Sequence, residues 1–161
     1  GLKAARILLS MGKKVYVFLA LPREKLDEGH KRDLTLVENL DGKIYDLVTI
    51  EELEDFSKKL NLTNTIIDAI MDIDYDDQFL GSFDYIIETI NRSRIYTISI
   101  DVPSGMDADS GKINTSFVQA DLIIAQQFLK EGITKTNRLI GTRLLIQDIG
   151  LPKKAINKVI N

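Results

Sequence analysis

Several residue types that support common chemistries are missing or nearly missing from this sequence of 161 residues. It has no cysteine, which excludes disulfides, thiolate metal sites and a cysteine nucleophile. Its one histidine, His30, excludes a metal site built on a histidine pair, and a serine nucleophile activated by histidine would depend on this residue alone. The lack of cysteine fits a reducing compartment, and we expect a cytoplasmic protein.

Excess basic charge and long apolar runs are also absent. The formal net charge is −3, so no basic surface argues for a nucleic-acid partner or an anionic membrane. No apolar stretch reaches the roughly 20 residues that a transmembrane helix needs. Hydrophobic residues make up 44% of the chain, which is typical of a globular protein, and the length suits one domain with a real core.

Hydrophobic spacing predicts that helices alternate with short apolar strands over the first hundred residues. The predicted helices cover residues 1–11, 23–40, 50–60 and 79–90 and a segment after Pro152. The predicted strands cover residues 14–21, 43–48, 65–71, 95–100, 121–125 and 143–146. This alternation is typical of an α/β fold with a mostly parallel central sheet that is covered on both faces.

Asp101 is the leading candidate for chemistry. It ends the apolar strand at residues 95–100 and precedes a tight Pro103-Ser104-Gly105 turn. Ligands of open α/β sheets bind outside the carboxyl ends of the strands, so a carboxylate here can act as a general acid or base, or bind a ligand hydroxyl. The alternative, at about equal weight, is a turn aspartate that accepts hydrogen bonds from nearby backbone amides.

Asp68 is the second candidate, because it interrupts the otherwise apolar strand at residues 65–71. A buried charge there must be paired, hydrogen-bonded or bound to a cation. The Asp68 carboxylate and the Ser104 hydroxyl are oxygen ligands of the kind that hard cations prefer, and a loop-capping role for Asp68 is the alternative. Lys130 follows a later strand and can pair with a phosphate or an active-site carboxylate, although a surface lysine is the more common outcome.

The aspartates between residues 72 and 77 suggest a calcium loop. A loop of that type needs glycine at its sixth position, where Asp77 stands, and glutamate at its twelfth, where Phe83 stands. A solvated acidic loop before a helix N-terminus is therefore the favoured interpretation.

The run from Ile100 to Gly111, IDVPSGMDADSG, resembles the hallmark of the YjeF N-terminal domain family, the NAD(P)H-hydrate epimerases. Supporting segments occur in matching order and spacing: Ile67-Asp68-Ala69-Ile70, Ala120-Asp121-Leu122, Leu129-Lys130 with Gly132, and Asp148 to Pro152. The resemblance covers essentially the whole chain. It implies a three-layer αβα Rossmann-like fold with a mostly parallel central sheet.

The resemblance also implies an activity, namely repair of hydrated nicotinamide cofactors. The R and S forms of NAD(P)HX would be interconverted, so that an ADP- or ATP-dependent dehydratase can use the S form. By this resemblance Asp101 would contact the substrate and act as acid and base, with Lys130 assisting. The further substrate-binding residues would be Met71, Asp72, Ile73 and Asp74.

By the same resemblance, Asp68 and Ser104 would help to hold a structural potassium ion. Family members are often dimers, so a homodimer is one expected state. Two segments depart from the family pattern. Met71 to Asp77 stands where the family usually has an aromatic residue and a glycine-rich loop, and Ala125-Gln126-Gln127 stands where it has Thr-Phe-Gly. Since glycines let a backbone approach a pyrophosphate closely, the first departure changes a phosphate-binding wall.

The sequence begins directly with a predicted helix, without a capping residue or an initiator methionine. The family's Asn-Asn-Gly-Gly-Asp segment would lie immediately before Gly1. We therefore expect residues 1–161 to form one YjeF N-terminal domain that is incomplete at its N-terminus, with a fused dehydratase domain as a possible continuation. Two alternatives stay open: a catalytically degenerate domain that serves binding or assembly, and a different small-molecule or nucleotide-binding protein of Rossmann-like fold.

Overall fold

The structure is a computed structural model that describes residues 1–70, 80–113 and 115–160. Within these ranges the helices are α1 (Leu2–Ser10), α2 (Glu28–Glu38), α3 (Ile50–Leu60), α4 (Leu80–Ser93), α5 (Glu131–Lys135) and α6 (Lys153–Ile160). The strands are β1 (Tyr16–Leu19), β2 (Lys43–Asp46), β3 (Thr65–Asp68), β4 (Tyr96–Ile100), β5 (Leu122–Gln126) and β6 (Arg143–Gln147). A short 3₁₀ helix at Arg23–Lys25 precedes α2.

Every strand pairing in the described part of the chain is parallel. β1 pairs with β2, and the other strands form a sheet in the order β3-β4-β5-β6. The predicted α/β class with parallel strands is confirmed, although the strands group into two sheets rather than one. Because the strands of each sheet run in one direction, the carboxyl ends of β3, β4 and β5 lie along the same edge.

Helix α3 shows how local sequence fixes an element. Thr49 Oγ1 accepts a hydrogen bond from the Glu52 amide, and Glu52 Oε2 accepts one at 2.8 Å from the Thr49 amide. This reciprocal capping box satisfies amides that have no partner inside the helix. His30 lies exposed in the first turn of α2, beside Asp27.

The core of the larger sheet lies on one of its faces, and a separate cluster packs α1 and α2 against β1. Helices α3 and α4 enclose a cluster around Phe56, Ile86 and Ile87, against which Ile66 of β3 packs, and Ile133 of α5 packs with Ile123 of β5. Burial alternates along β4, where Thr97 and Ser99 are buried and their neighbours are not. Since successive side chains of a strand point to opposite faces, alternate residues of the sheet, polar ones included, face this core.

Two further differences separate the predicted elements from the observed ones, namely where β3 ends and the presence of helix α5. β3 ends at Asp68, so that residue closes the strand instead of interrupting it. Helix α5 was not predicted, because five residues are too few to show a helical period. Within the described ranges, no helix is both long and apolar enough to cross a bilayer.

Candidate active site

Asp101 and Lys130 meet at the carboxyl edge of the larger sheet. Lys130 Nζ donates a hydrogen bond to Asp101 Oδ1 at 2.8 Å, and the backbone amide of Gln126 donates to the same oxygen at 2.9 Å. The two side chains are 31% and 32% exposed, so a ligand can reach both. The structure therefore brings together the two residues predicted to be catalytic.

The backbone of Asp101 directs its carboxylate toward β5. Its amide donates to the Ile124 carbonyl at 2.8 Å, which continues the ladder between β4 and β5 by one bond. Its φ is +70°, a left-handed conformation that aspartate tolerates better than most residues. The chain thus leaves the strand at Asp101 itself, and the side chain turns back to the end of β5.

Lys130 is held by backbone contacts between two loops. Lys130 is the N-cap residue of α5. Two residues later, Gly132 donates its amide to the Ala108 carbonyl at 2.6 Å. Gly111 donates to the Asp107 carbonyl at 2.9 Å in the same region. A Cβ on Gly132 would overlap the Asp107 carbonyl oxygen, so only glycine permits this approach. The loop that follows Asp101 therefore fixes the start of α5.

A second polar group lies buried beneath the turn at residues 101–105. Asp68 is 1% exposed, Ser99 is completely buried and Ser104 is 3% exposed. Asp68 Oδ2 accepts bonds from Ser99 Oγ at 2.6 Å and from the Ser104 amide at 2.9 Å. Asp68 Oδ1 accepts one from Ser104 Oγ at 2.5 Å. The structure thus brings Asp68 and Ser104, the two residues predicted to hold a cation, into direct contact.

Burial raises the pKa of Asp68 above its ordinary value, because removal from water penalises the charged form. The bonds from Ser104, Ser99 and the Ile70 amide oppose this rise and favour the carboxylate. No side-chain cation is paired with Asp68 among the described residues. The site is therefore a buried carboxylate whose stabilisation comes from hydroxyl and amide donors.

Two residues of this site are not evident from local sequence. Ser99 contacts Asp68 because the parallel register places it opposite Asp68 on the neighbouring strand. In the sequence, only the presence of a hydroxyl residue inside an apolar strand could have indicated that Ser99 belongs to the site. Gln126 takes part through its backbone amide, which carries no sequence signal. The predicted substrate-binding residues lie outside the described part of the chain: Met71, Asp72, Ile73 and Asp74.

Comparison with known proteins shows the family of this chain. A family model described as "YjeF-related protein N-terminus" matches residues 1–132. The chain belongs to this family. Over 160 residues it is 37% identical to a protein of Anaerococcus prevotii named NAD(P)H-hydrate epimerase, a match that covers 99% of this chain and 73% of that protein. A protein of the same name from Elusimicrobium minutum is 29% identical over 163 residues, which cover 99% and 71% of the two chains.

The chain also matches a longer bifunctional protein and a solved structure. The Moorella thermoacetica protein named bifunctional NAD(P)H-hydrate repair enzyme is 28% identical over 157 residues, 97% of this chain and 30% of that protein. The crystal structure of the yeast protein ynu0 superposes with a TM-score of 0.73 at 21% identity. That match covers 98% of this chain and 64% of the yeast chain, and it supports the predicted Rossmann-like fold.

Proposed function

We propose that this YjeF N-terminal domain is an NAD(P)H-hydrate epimerase, which interconverts the R and S forms of hydrated NADH or NADPH. The observation that carries the proposal is the Asp101–Lys130 pair at the carboxyl edge of the sheet, where α/β proteins bind ligands. Relatives that bear the name of this activity are 37% and 29% identical over nearly the whole chain.

The proposed chemistry needs one group that moves a proton. The hydrated ring carries its hydroxyl on a carbon bonded to the ring nitrogen. Asp101 takes the hydroxyl proton while the carbon–nitrogen bond breaks, which leaves an aldehyde with the bonding electrons on nitrogen. Rotation about the adjacent bond and attack of that nitrogen on the other face then close the ring. Asp101 returns the proton to the new hydroxyl, and no other reactant is consumed.

The contacts of Asp101 assign different parts to its two oxygens. Lys130 and the Gln126 amide both donate to Oδ1, which fixes the carboxylate plane. None of the described residues donates to Oδ2, so Oδ2 is the atom that we assign to the substrate hydroxyl. Lys130 holds the carboxylate in place through its hydrogen bond to Oδ1.

A coupled assay tests the proposal. R-NADHX is mixed with an S-specific dehydratase, and the return of NADH absorbance is followed with and without the protein. We expect acceleration over spontaneous epimerisation, and a loss of about 10²- to 10⁴-fold in Asp101→Asn, which is the usual contribution of a general acid or base. Asp109→Asn, an exposed aspartate of the same loop, should keep full activity. Equal rates with and without the wild-type protein would refute the function.

A potassium ion at Asp68 and Ser104 is also part of the proposal. Their carboxylate and hydroxyl oxygens are the donor type that a hard cation prefers, and the buried Asp68 charge has no cationic side chain beside it among the described residues. Asp68 Oδ1 and Ser104 Oγ would hold the ion. When bound, it would neutralise the buried charge. A rise in melting temperature in potassium chloride, absent with tetramethylammonium chloride and in Asp68→Asn, would support the site.

We further propose that residues 1–161 act as one cytoplasmic domain that works with a dehydratase, in the same chain or as a separate protein. The bifunctional repair enzyme of M. thermoacetica, of which this domain matches 30%, supports that partnership. A homodimer stays a prediction, which sedimentation of the purified protein checks.

A further inference from the structure

We propose that Ser99 is a positioning residue for Asp101, because its buried hydroxyl orients the Asp68 carboxylate that anchors the turn after Asp101. This inference rests on the proposed function and extends it to a residue that touches neither substrate nor Asp101. It is carried by a chain of short contacts that runs from β4 through β3 to residues 101–104.

The first link is the contact between Ser99 and Asp68. The register of β3 and β4 pairs the two residues directly, and both side chains lie on the buried face of the sheet. Ser99 Oγ donates to Asp68 Oδ2 at 2.6 Å, which is the usual distance of a charge-assisted hydroxyl–carboxylate bond. A buried carboxylate that loses such a donor is left partly unsatisfied, and it turns toward the donors that remain.

The second link is the pair of hydrogen bonds that Asp68 accepts from Ser104. Both oxygens of the carboxylate are used: Oδ2 accepts the Ser104 amide and Oδ1 accepts the Ser104 hydroxyl. A rotation of the carboxylate would break one of these bonds or both. The Ser104 carbonyl also accepts the Val118 amide at 2.9 Å, so a shift of Ser104 would loosen this neighbouring segment as well.

The third link is the short path from Ser104 back to Asp101. The turn is fixed at one end by the bond from the Asp101 amide to Ile124 and at the other end by Ser104. Gly105 adopts a φ of +91° and lies so close to the Ser116 carbonyl that a Cβ would overlap it. With so few residues between two fixed ends, a displacement of Ser104 changes the direction of the Asp101 carboxylate.

Thr97 provides a matched control on the same strand. It is 2% exposed and faces the same side of the sheet as Ser99. Its hydroxyl donates to the Ile95 carbonyl at 2.8 Å and has no link to Asp68. Thr97→Val therefore removes a buried hydroxyl from β4 without touching the contacts that lead to Asp101.

The experiment compares Ser99→Ala with Thr97→Val in the epimerase assay. We expect Ser99→Ala to lower kcat about tenfold with KM unchanged within about twofold, because substrate contacts stay in place while the carboxylate is misaligned. Thr97→Val should keep both constants within about twofold. Amide hydrogen exchange supplies a readout independent of activity: Ser104 and Val118 should exchange faster in Ser99→Ala and at the wild-type rate in Thr97→Val.

Unchanged kcat in Ser99→Ala, or equal losses in the two variants, would overturn the proposal. If Ser99→Ala does not fold, Ser99→Thr and Ser99→Val replace it, because they have nearly equal volume and differ in the hydroxyl. We then expect the threonine variant to be about tenfold faster than the valine variant, and equal rates would refute the role. If the wild-type protein has no epimerase activity, the proposed function fails, and unchanged exchange at Ser104 still rejects the positioning role by itself.

Discussion

Replacing Gly132 with alanine should destabilise the domain and displace Lys130. The Gly132 amide donates to the Ala108 carbonyl at 2.6 Å, and an added Cβ would lie 2.7 Å from that same carbonyl oxygen and overlap the Asp107 carbonyl oxygen. These neighbours are backbone atoms, which cannot rotate away as a side chain can. The variant must therefore separate α5 from the loop at residues 107–111.

The size of the effect follows from the contacts that are lost. Separation breaks the bond from Gly132 to Ala108 and strains the bond from Gly111 to Asp107, at about 1 kcal/mol each. Overpacking adds about 1–3 kcal/mol, and the better helix propensity of alanine returns about 1 kcal/mol. The net loss is about 3 kcal/mol, which corresponds to a fall of about 6–12 °C in Tm for a domain of this size.

Thermal unfolding measured by circular dichroism checks the prediction, with Gly141→Ala as the control. Gly141 has a φ of +85° and no atom near its missing Cβ, so alanine there suffers only backbone strain of about 1–2 kcal/mol. Gly132→Ala should also lose most of its epimerase activity below its Tm, whereas Gly141→Ala should retain it. A fall in Tm for Gly132→Ala that is no larger than that of Gly141→Ala would refute the reasoning.

Two further predictions concern charge. Lys130→Met should lower kcat/KM about 10- to 100-fold, yet change the unfolding free energy by less than about 1 kcal/mol, because water screens a pair that is one-third exposed. Lys31→Met, which breaks the exposed pair with Glu28 on α2, should leave the epimerase rate unchanged, and equal rate losses would contradict the assignment. Bonds from the Ser110 hydroxyl and amide lower the pKa of Asp107. The folding free energy that these bonds contribute is therefore present above the ordinary pKa of 3.8, and it is lost as the pH falls through the lower pKa of the folded state. Chemical denaturation should therefore show a larger difference between wild type and Asp107→Asn at neutral pH than at about pH 2, and a constant difference would contradict the linkage.

Some elements could be predicted from the sequence because local patterns determine them. The Thr49 cap of α3 needs only a threonine followed three residues later by glutamate, and both lie in one turn of helix. The strand that ends at Ile100 is an apolar run followed by a turn that contains proline and glycine. Asp101 could be placed at a strand end for the same reason, although its hydrogen bond from the Gln126 amide could not be predicted.

The rest of the site depends on contacts between distant segments. Ser99 meets Asp68 through strand register, and the sequence of either strand alone does not determine that register. Helix α5 forms because Gly132 packs on the loop at residues 107–111, which no periodicity reveals. Gln127 adopts a left-handed φ of +63°. Glutamine does not signal such a conformation, because glycine, asparagine and aspartate are the residues that favour it.

The residue type at position 101 satisfies two separate requirements. The backbone there is left-handed at φ +70°, which favours glycine, asparagine and aspartate. The proposed proton transfer needs a carboxyl group, and glycine and asparagine lack one. Of these three residue types, only aspartate meets both the backbone requirement and the need for a carboxyl group. Asparagine retains the backbone and can still accept the Gln126 amide through its carbonyl oxygen, while it loses the group that exchanges a proton. A folded and inactive Asp101→Asn variant would therefore assign the loss to chemistry, whereas alanine would combine that loss with backbone strain.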